Sequence, residues 1–304
     1  MSLMPSSTPE SISIETAPAS PAFRGRSAWW DALIRLRRSR GAWVGAVILS
    51  LIVLAVLGAS ALTRYDPLVI NAAEGSRPPG PGHPLGTDIL GRDMYTRVLF
   101  GGRLSLVTGI ISVTFALALG VPMGLMSGFY GGLTDRLVMR LVDVMLTFPG
   151  ILLALVIVAV LGPSLLNAMV AVGISASPTY ARVVRSTALS AKTEAYIEAA
   201  RALGCSNLRI ITRHILPNTI APLIVLGTLG VAGAIIAAAA LSFLGLGAQP
   251  PQPEWGALLS EGRSYLRTAW WITVFPGLAI MLTVLAINLL GDGLRDALDP
   301  RLRA

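Results

Sequence analysis

The sequence predicts an all-α protein that crosses a membrane several times. Of its 304 residues, 54% are hydrophobic and 13% are charged, whereas an ordinary soluble domain is about 25% charged. The charges leave five long segments without Asp, Glu, Lys or Arg, at 41–63, 104–134, 144–181, 214–253 and 268–291. Each segment reaches the roughly 20 residues that a membrane helix needs. Five such segments in one chain exclude a soluble enzyme. A transmembrane barrel is excluded as well, because polar and apolar residues do not alternate along the segments.

Turn residues divide these segments into six predicted spans. The segment 144–181 would form a helix of about 57 Å, so it must fold back, and Gly162-Pro163-Ser164 is the natural turn. Glycines at 128–132 end the second span, and a Gly- and Pro-rich run at 245–253 follows the fifth. The spans are predicted at 43–62, 104–128, 144–161, 165–183, 218–244 and 269–290.

The basic residues predict the orientation of the spans. With both termini in the cytoplasm, 17 of the 24 basic residues fall in cytoplasmic segments and 7 in external ones, which agrees with the positive-inside rule. Residues 1–34 then form a cytoplasmic tail, which we expect to be disordered, with a basic anchor at its end. Residues 35–103 contain the first span and an external loop, and residues 104–304 form a core of five spans.

The residue types exclude several kinds of chemistry. Lys192 is the only lysine, and the residue directly before it is Ala191 and not glycine. The chain therefore has no P-loop for a nucleotide phosphate. The single Cys205 excludes an internal disulfide, and His83 and His214 are too far apart in sequence to suggest a metal site. The arginines at 24–40 adjoin a span, which favours contact with anionic lipids over nucleic-acid binding. We therefore expect no catalytic residue, cofactor or metal in this chain, and any ATP-driven work must come from a partner.

Small residues recur every four positions in the second predicted span. They are Ala116, Gly120, Gly124 and Gly128. Because such a stripe lets two membrane helices approach closely, we expect a tight helix contact along it.

One carboxylate, Asp143, lies at the edge of an apolar segment. A carboxylate within a membrane suggests a functional role, such as a proton relay. Arg140 stands one helical turn earlier, and we favour an ion pair between these two side chains.

The segment 186–217, between the fourth and fifth spans, contains a predicted short helix. Thr193 suits the N-cap, Glu194 the first turn, and Gly204 the residue that follows the helix end. A helix of about ten residues is too short to be stable alone in water, so it must pack against something. It either lies on its own membrane domain or docks on a partner protein, and the residues by themselves leave both options open.

The same segment resembles the EAA motif of the permease subunits of ABC importers. Glu198-Ala199-Ala200, three further residues and Gly204, followed by Leu216-Pro217, match the family pattern, except that His214 stands where the family has isoleucine. In that family this loop forms the coupling helix, which docks in a cleft of the cytoplasmic ATPase subunit. The resemblance therefore implies that ATPase coupling involves Glu198, Ala199, Ala200, Arg201, Gly204, Leu216 and Pro217.

Three further blocks narrow the resemblance to the C-type permeases of the dipeptide and oligopeptide family. They are His83-Pro84-Leu85-Gly86-Thr87-Asp88 with Leu90-Gly91-Arg92-Asp93, the segment 241–256, and the segment 291–300. The resemblance covers 35–304 and implies the type I ABC-importer permease fold. It also implies four partners: a second homologous permease, two ATPase subunits that bind ATP and Mg, and an extracytoplasmic binding protein. Such complexes lie in the bacterial or archaeal cytoplasmic membrane.

The function implied by this resemblance is ATP-driven import of dipeptides or short oligopeptides. This chain would be the membrane-spanning permease subunit and not itself an enzyme. Related systems import glutathione, nickel chelates or other small peptide-like solutes. A gradient-driven secondary transporter is a more distant alternative, which predicts ionisable residues at mid-membrane and often an internal repeat. Asp143 is the lone candidate for such a residue, and no repeat is visible.

Overall fold

The computed structural model describes residues 34–37 and 39–298, and most of these residues are helical. Helices α1 to α11 comprise Arg40–Leu57, Ala59–Leu62, Met94–Tyr130, Gly132–Thr147, Gly150–Leu161, Leu165–Lys192, Ala195–Ala202, Asn207–Ile210, Leu216–Phe243, Trp255–Gly262 and Trp271–Leu298. A π-helix at Ile211–Ile215 joins α8 to α9, and 3-10 turns lie at Ala72–Glu74 and Arg263–Tyr265. The predicted all-α class is confirmed, and nearly all of the predicted tail at 1–34 lies outside the described residues.

Four helices in the described ranges are long and apolar enough to cross a bilayer. They are α1, α3, α11 and the continuous run Asn207–Phe243, which ends in α9. The pair α4 and α5 supplies a fifth span if the two helices are counted together. α6 has 28 residues and is therefore long enough to span, but it is more polar than the other four. The total of six spans and the cytoplasmic position of both termini remain predictions.

The predicted span at 144–161 is not one continuous helix. α4 ends at Thr147, and α5 begins at Gly150 with its axis bent by 95° from that of α4. The cause is Pro149, because its ring restricts Phe148 to an extended backbone and it has no amide hydrogen to donate. Phe148 has φ −88° and ψ 137°. With 12 residues, α5 is about 18 Å long, which is shorter than the hydrocarbon core of a bilayer.

The stripe of small residues in α3 packs against α6, as predicted. A Cβ added to Gly120 would lie 2.6 Å from the carbonyl oxygen of Ser177, and one added to Gly124 would lie 2.5 Å from that of Ala181. Both distances are shorter than any carbon–oxygen contact allows, so only glycine fits at these positions. The expected close approach of two membrane helices is confirmed.

A cap formed by the segment 63–93 and α10 covers the N-terminal ends of α3 and α11. Within the cap, Asp88 accepts hydrogen bonds from Arg92 Nε at 2.5 Å and from Arg97 Nη1 of α3 at 2.6 Å. Glu261 in α10 accepts from the same two arginines, at 3.0 Å and 2.7 Å. Asp88 and both arginines are buried. Two acidic and two basic side chains thus balance their charges and join the block at 83–93 to α10.

Candidate coupling site

The predicted short helix in 186–217 is α7, which comprises Ala195–Ala202. Its N-cap is Glu194, with an extended backbone at φ −80° and ψ 141°, and not Thr193 as the sequence suggested. Thr193 follows the last residue of α6, so it ends the preceding helix instead. The predicted cap and the observed one are adjacent residues.

The end of α7 agrees with the prediction for Gly204, which has φ +75°. The Gly204 amide donates to the carbonyl of Arg201 at 2.9 Å, and the Cys205 amide donates to that of Ala200 at 3.0 Å. This pair of hydrogen bonds is the Schellman arrangement, which requires a left-handed residue just beyond the helix. Glycine adopts that conformation without the steric cost of a Cβ.

One face of α7 packs against the chain's own membrane helices. Ile197 is fully buried and Ala200 is 6% exposed. They belong to an apolar cluster, here called the coupling core, whose other buried members are Leu125, Phe129, Val184, Ala188, Ala191, Ile210, Ile211 and Ile215. Of the two options that the sequence left open, packing on the membrane domain is therefore present, and this contact stabilises a helix of only eight residues.

The opposite face of α7 is open. Glu198, Ala199 and Arg201 are exposed. Leu203, directly after the helix, is 83% exposed, and Leu208 in α8 is 70% exposed. This face thus combines charged, small and large apolar side chains without a covering element from the described part of the chain.

Two side-chain contacts link α7 to the spans. Asn218, in the first turn of α9, donates a hydrogen bond to the hydroxyl of Tyr196 at 2.8 Å. The guanidinium of Arg201 lies over the ring of Phe129, 5.6 Å from its centroid. No local sequence pattern indicates a role for Tyr196, Asn218 or Phe129, because the residues that they contact are distant along the chain.

The last predicted coupling residues lie at the start of α9. Leu216 is half-buried against the coupling core, and Pro217 is exposed in the first turn of α9, directly after the π-helix. His214, the departure from the family pattern, is half-buried, while its neighbour Ile215 is fully buried in the coupling core. Ile215 therefore fills the apolar position. The structure joins Ala200 and Leu216 to one cluster and leaves the other coupling residues exposed.

The predicted ion pair between Asp143 and Arg140 is wrong, because Asp143 pairs with an arginine of another helix. Its Oδ1 accepts a hydrogen bond from Arg182 Nη2 in α6 at 2.7 Å, and Arg140 does not take part. Asp135, also in α4, accepts two hydrogen bonds from Arg185, at 2.6 Å and 2.7 Å. The break before α5 allows α4 to lie beside α6 and to present both carboxylates to it. The Asp143 and Arg182 side chains are 56% and 55% exposed, so their pair contributes at most about 1 kcal/mol.

Comparison with known proteins identifies the family to which this chain belongs. Residues 120–304 match the model of the binding-protein-dependent transport system inner membrane component. The chain belongs to this family. Residues 27–79 match the N-terminal transmembrane domain of oligopeptide transport permease C. The match to the inner-membrane component includes α7, α9 and every residue of the candidate coupling site.

Relatives in this family match nearly the whole chain. The dipeptide transport system permease protein DppC of Alkalihalophilus pseudofirmus is 46% identical over 300 residues, which cover 99% of this chain and 98% of the relative. The glutathione transport system permease protein GsiD of Pectobacterium atrosepticum is 45% identical over 282 residues, covering 92% of this chain and 93% of the relative. The similarity to these two permease proteins therefore extends over at least 92% of this chain and 93% of each relative.

A solved structure shares the fold. The inward-facing MetNI methionine ABC transporter contains a chain that matches with a TM-score of 0.52 and 21% identity, covering 66% of this chain and 96% of that one. The likeness shows that the type I ABC-importer permease fold, predicted from the sequence, is the fold of this family member.

Proposed function

We propose that this chain is the permease subunit of an ATP-driven importer that translocates dipeptides or short oligopeptides. The observation that carries the proposal is the similarity to a dipeptide permease over 99% of the chain. The importer would contain a second, homologous permease and two ATPase subunits, which bind ATP and Mg. An extracytoplasmic binding protein would deliver the peptide.

The two faces of α7 support two separate roles in coupling, docking on the exposed face and transmission of movement on the buried face. Glu198, Ala199, Arg201 and Gly204 lie on the exposed side, where an ATPase subunit can dock. Ala200 lies in the coupling core. Close-packed side chains transmit a displacement instead of absorbing it, so a movement of α7 is passed to the helices that share the core.

The route of this displacement runs into α6 and α9. Ile197 belongs to the coupling core, which also includes residues of α6 and of the π-helix. Leu216 packs on the same core and Pro217 begins the regular part of α9. A shift of α7 would thus reorient two long helices together, which is the change that opens a membrane bundle to one side or the other.

Glutathione is a second candidate cargo. The 45% identity to a glutathione permease over 92% of the chain supports it. Glutathione is itself a tripeptide, so it shares amide groups with the dipeptides. The choice between the two depends on the binding protein, which selects the ligand before it reaches the membrane.

The proposal is tested by transport in proteoliposomes. The chain is reconstituted with the second permease, the ATPase subunits and the binding protein that are encoded with it, and uptake of radiolabelled dialanine and glutathione is measured. We expect uptake of at least one probe that requires ATP and every component. Uptake that proceeds without ATP and stops when a proton gradient is collapsed would favour the secondary transporter. Failure to import either probe would reject the peptide cargo.

A further inference from the structure

A groove of about 580 Å³ lies between α1 on one side and α3, α9 and α11 on the other. Nine of its eleven lining residues are leucine, valine or isoleucine. The tenth is Thr228, whose hydroxyl donates to the carbonyl of Ile224 in the same helix at 2.8 Å. The last is Arg103 of α3. The wall of the groove therefore offers a ligand an apolar surface and one cationic group.

Close contacts of α1 bound the groove at both of its ends. Nearer the start of α1, a Cβ added to Gly45 would lie 2.6 Å from the carbonyl oxygen of Ala286 in α11. Near the end of α1, a Cβ added to Gly102 of α3 would lie 2.5 Å from the side chain of Val56. Between these two contacts α1 and α3 diverge, and the lining residue Val107 is 46% exposed. The open side of the groove thus runs along the helices and not among loops.

The groove has the length of one leaflet of a bilayer. Its lining residues on α1 extend from Leu49, near the middle of the helix, to Leu57, its last residue. These eight steps along a helix rise about 12 Å, and half of the hydrocarbon core of a bilayer is about 15 Å thick. Because a cavity with apolar walls stays dry, hydrocarbon and not water fills the groove at this depth.

The guanidinium of Arg103 is fixed at the end of the groove that lies beside the last turn of α1. Its Nε and Nη2 donate to the carbonyls of Val56 and Leu57 at 2.9 Å and 2.8 Å, and it lies over the ring of Phe100, 4.9 Å from the centroid. Within the described part of the chain, Nη1 has no acceptor and Arg103 forms no ion pair. Its orientation is therefore set by its own chain, whereas its charge is left for a ligand.

We infer that this groove binds an anionic phospholipid, with one acyl chain between α1 and α3 and the phosphate on Nη1 of Arg103. A planar guanidinium matches the geometry of phosphate oxygens, and its position at one end of an apolar groove matches a headgroup above its chain. A transmembrane helix of a partner protein is about 10 Å across, so it would need roughly 900 Å³ over the same length. The groove is too small for it. The inference does not depend on which solute the complex imports.

Lipid retention tests the role of Arg103. The assembled complex is incubated in detergent with equal amounts of phosphatidylglycerol and phosphatidylcholine that carry the same acyl chains, and retained lipids are counted by native mass spectrometry. We expect the wild type to prefer phosphatidylglycerol and Arg103→Gln to lower this preference about fivefold, since one arginine near a membrane surface contributes about 1 kcal/mol to the attraction of anionic lipid. The control is Arg267→Gln, at an exposed arginine outside the groove. Equal preferences in wild type and Arg103→Gln would overturn the inference.

A second variant tests the apolar part of the groove. Val107→Trp places a large ring where the acyl chain would lie, so we expect the complex to assemble normally and to lose tightly retained phosphatidylglycerol. The control is Val160→Trp in α5, at a valine that is 82% exposed and does not line the groove. If Val107→Trp instead prevents the two permeases from purifying together, the second permease covers this face and the inference is overturned. Unchanged lipid retention in Val107→Trp would overturn it as well.

Discussion

The side-chain amide of Asn218 donates a hydrogen bond to the hydroxyl of Tyr196 over 2.8 Å, across 22 positions of the chain. The same amide donates to the carbonyl of His214 at 2.8 Å. One side chain therefore joins α7, the π-helix and the first turn of α9. Because α7 has only eight residues, its orientation relative to α9 depends on a small number of such contacts.

Loss of the Tyr196 hydroxyl should weaken coupling. An exposed hydrogen bond contributes about 0.5–1.5 kcal/mol, so we expect Tyr196→Phe to lower the peptide imported per ATP hydrolysed by roughly twofold to tenfold. Parallel measurement of uptake and phosphate release in proteoliposomes checks this. Tyr130→Phe is the matched control, since Tyr130 is also about half exposed, at 51%, and ends α3. Equal ratios in wild type and Tyr196→Phe would show that the bond has no part in coupling.

Replacement of Gly204 should disturb the end of α7 without affecting membrane insertion. Its φ of +75° costs a residue with a Cβ about 1–2 kcal/mol. We expect Gly204→Val to insert normally and to hydrolyse ATP with reduced peptide uptake. Gly245→Val is the control, because Gly245 has φ +82° and equally open surroundings but lies beyond the other end of α9. Normal uptake by Gly204→Val would argue against a coupling role for this turn.

The two alanines of the motif should respond differently to enlargement. Ala200 is buried in the coupling core, so Ala200→Leu overpacks it and should destabilise the complex by about 1–3 kcal/mol. Ala199 is exposed, so Ala199→Leu should leave the melting temperature unchanged. It should reduce ATP-coupled uptake, because the larger side chain obstructs the docking of the ATPase subunit on α7. Thermal unfolding and uptake are measured on the same preparations. Identical behaviour of the two variants would contradict the two-faced arrangement of α7.

The buried charges beneath the cap should be important for stability. Asp88→Asn leaves Arg92 and Arg97 without a carboxylate that now lies within 2.6 Å of each. Removing one partner of a buried ion pair costs about 3–5 kcal/mol, which we expect as a lower melting temperature of the purified complex. Arg77→Ala is the control, since its pair with Glu74 is exposed and is worth at most about 1 kcal/mol. An equal fall in melting temperature in the two variants would show that the buried pairs of Asp88 contribute no more to stability than the exposed pair of Arg77 and Glu74.

The sequence predicted those features that depend on neighbouring residues. Charge-free segments predicted the membrane class, and the spacing of Gly120 and Gly124 predicted a tight helix contact that α6 provides. The predicted span at 144–161 is wrong as a single helix, because the chain breaks at Pro149 and bends by 95° there. Whether a proline bends a helix or ends it depends on what the two halves contact, and here α4 is held beside α6 by the pairs of Asp135 and Asp143.

The sequence by itself determined that this chain is an all-α membrane protein and that Gly204 ends α7, because hydropathy and backbone preference act over a few residues. Only the tertiary structure decided that Ala200 faces inward while Ala199 faces outward, that Asp143 pairs with Arg182, and that Asn218 contacts Tyr196. These relationships join residues that are close only after the helices pack, since packing depends on how whole helix surfaces fit together and not on any local pattern.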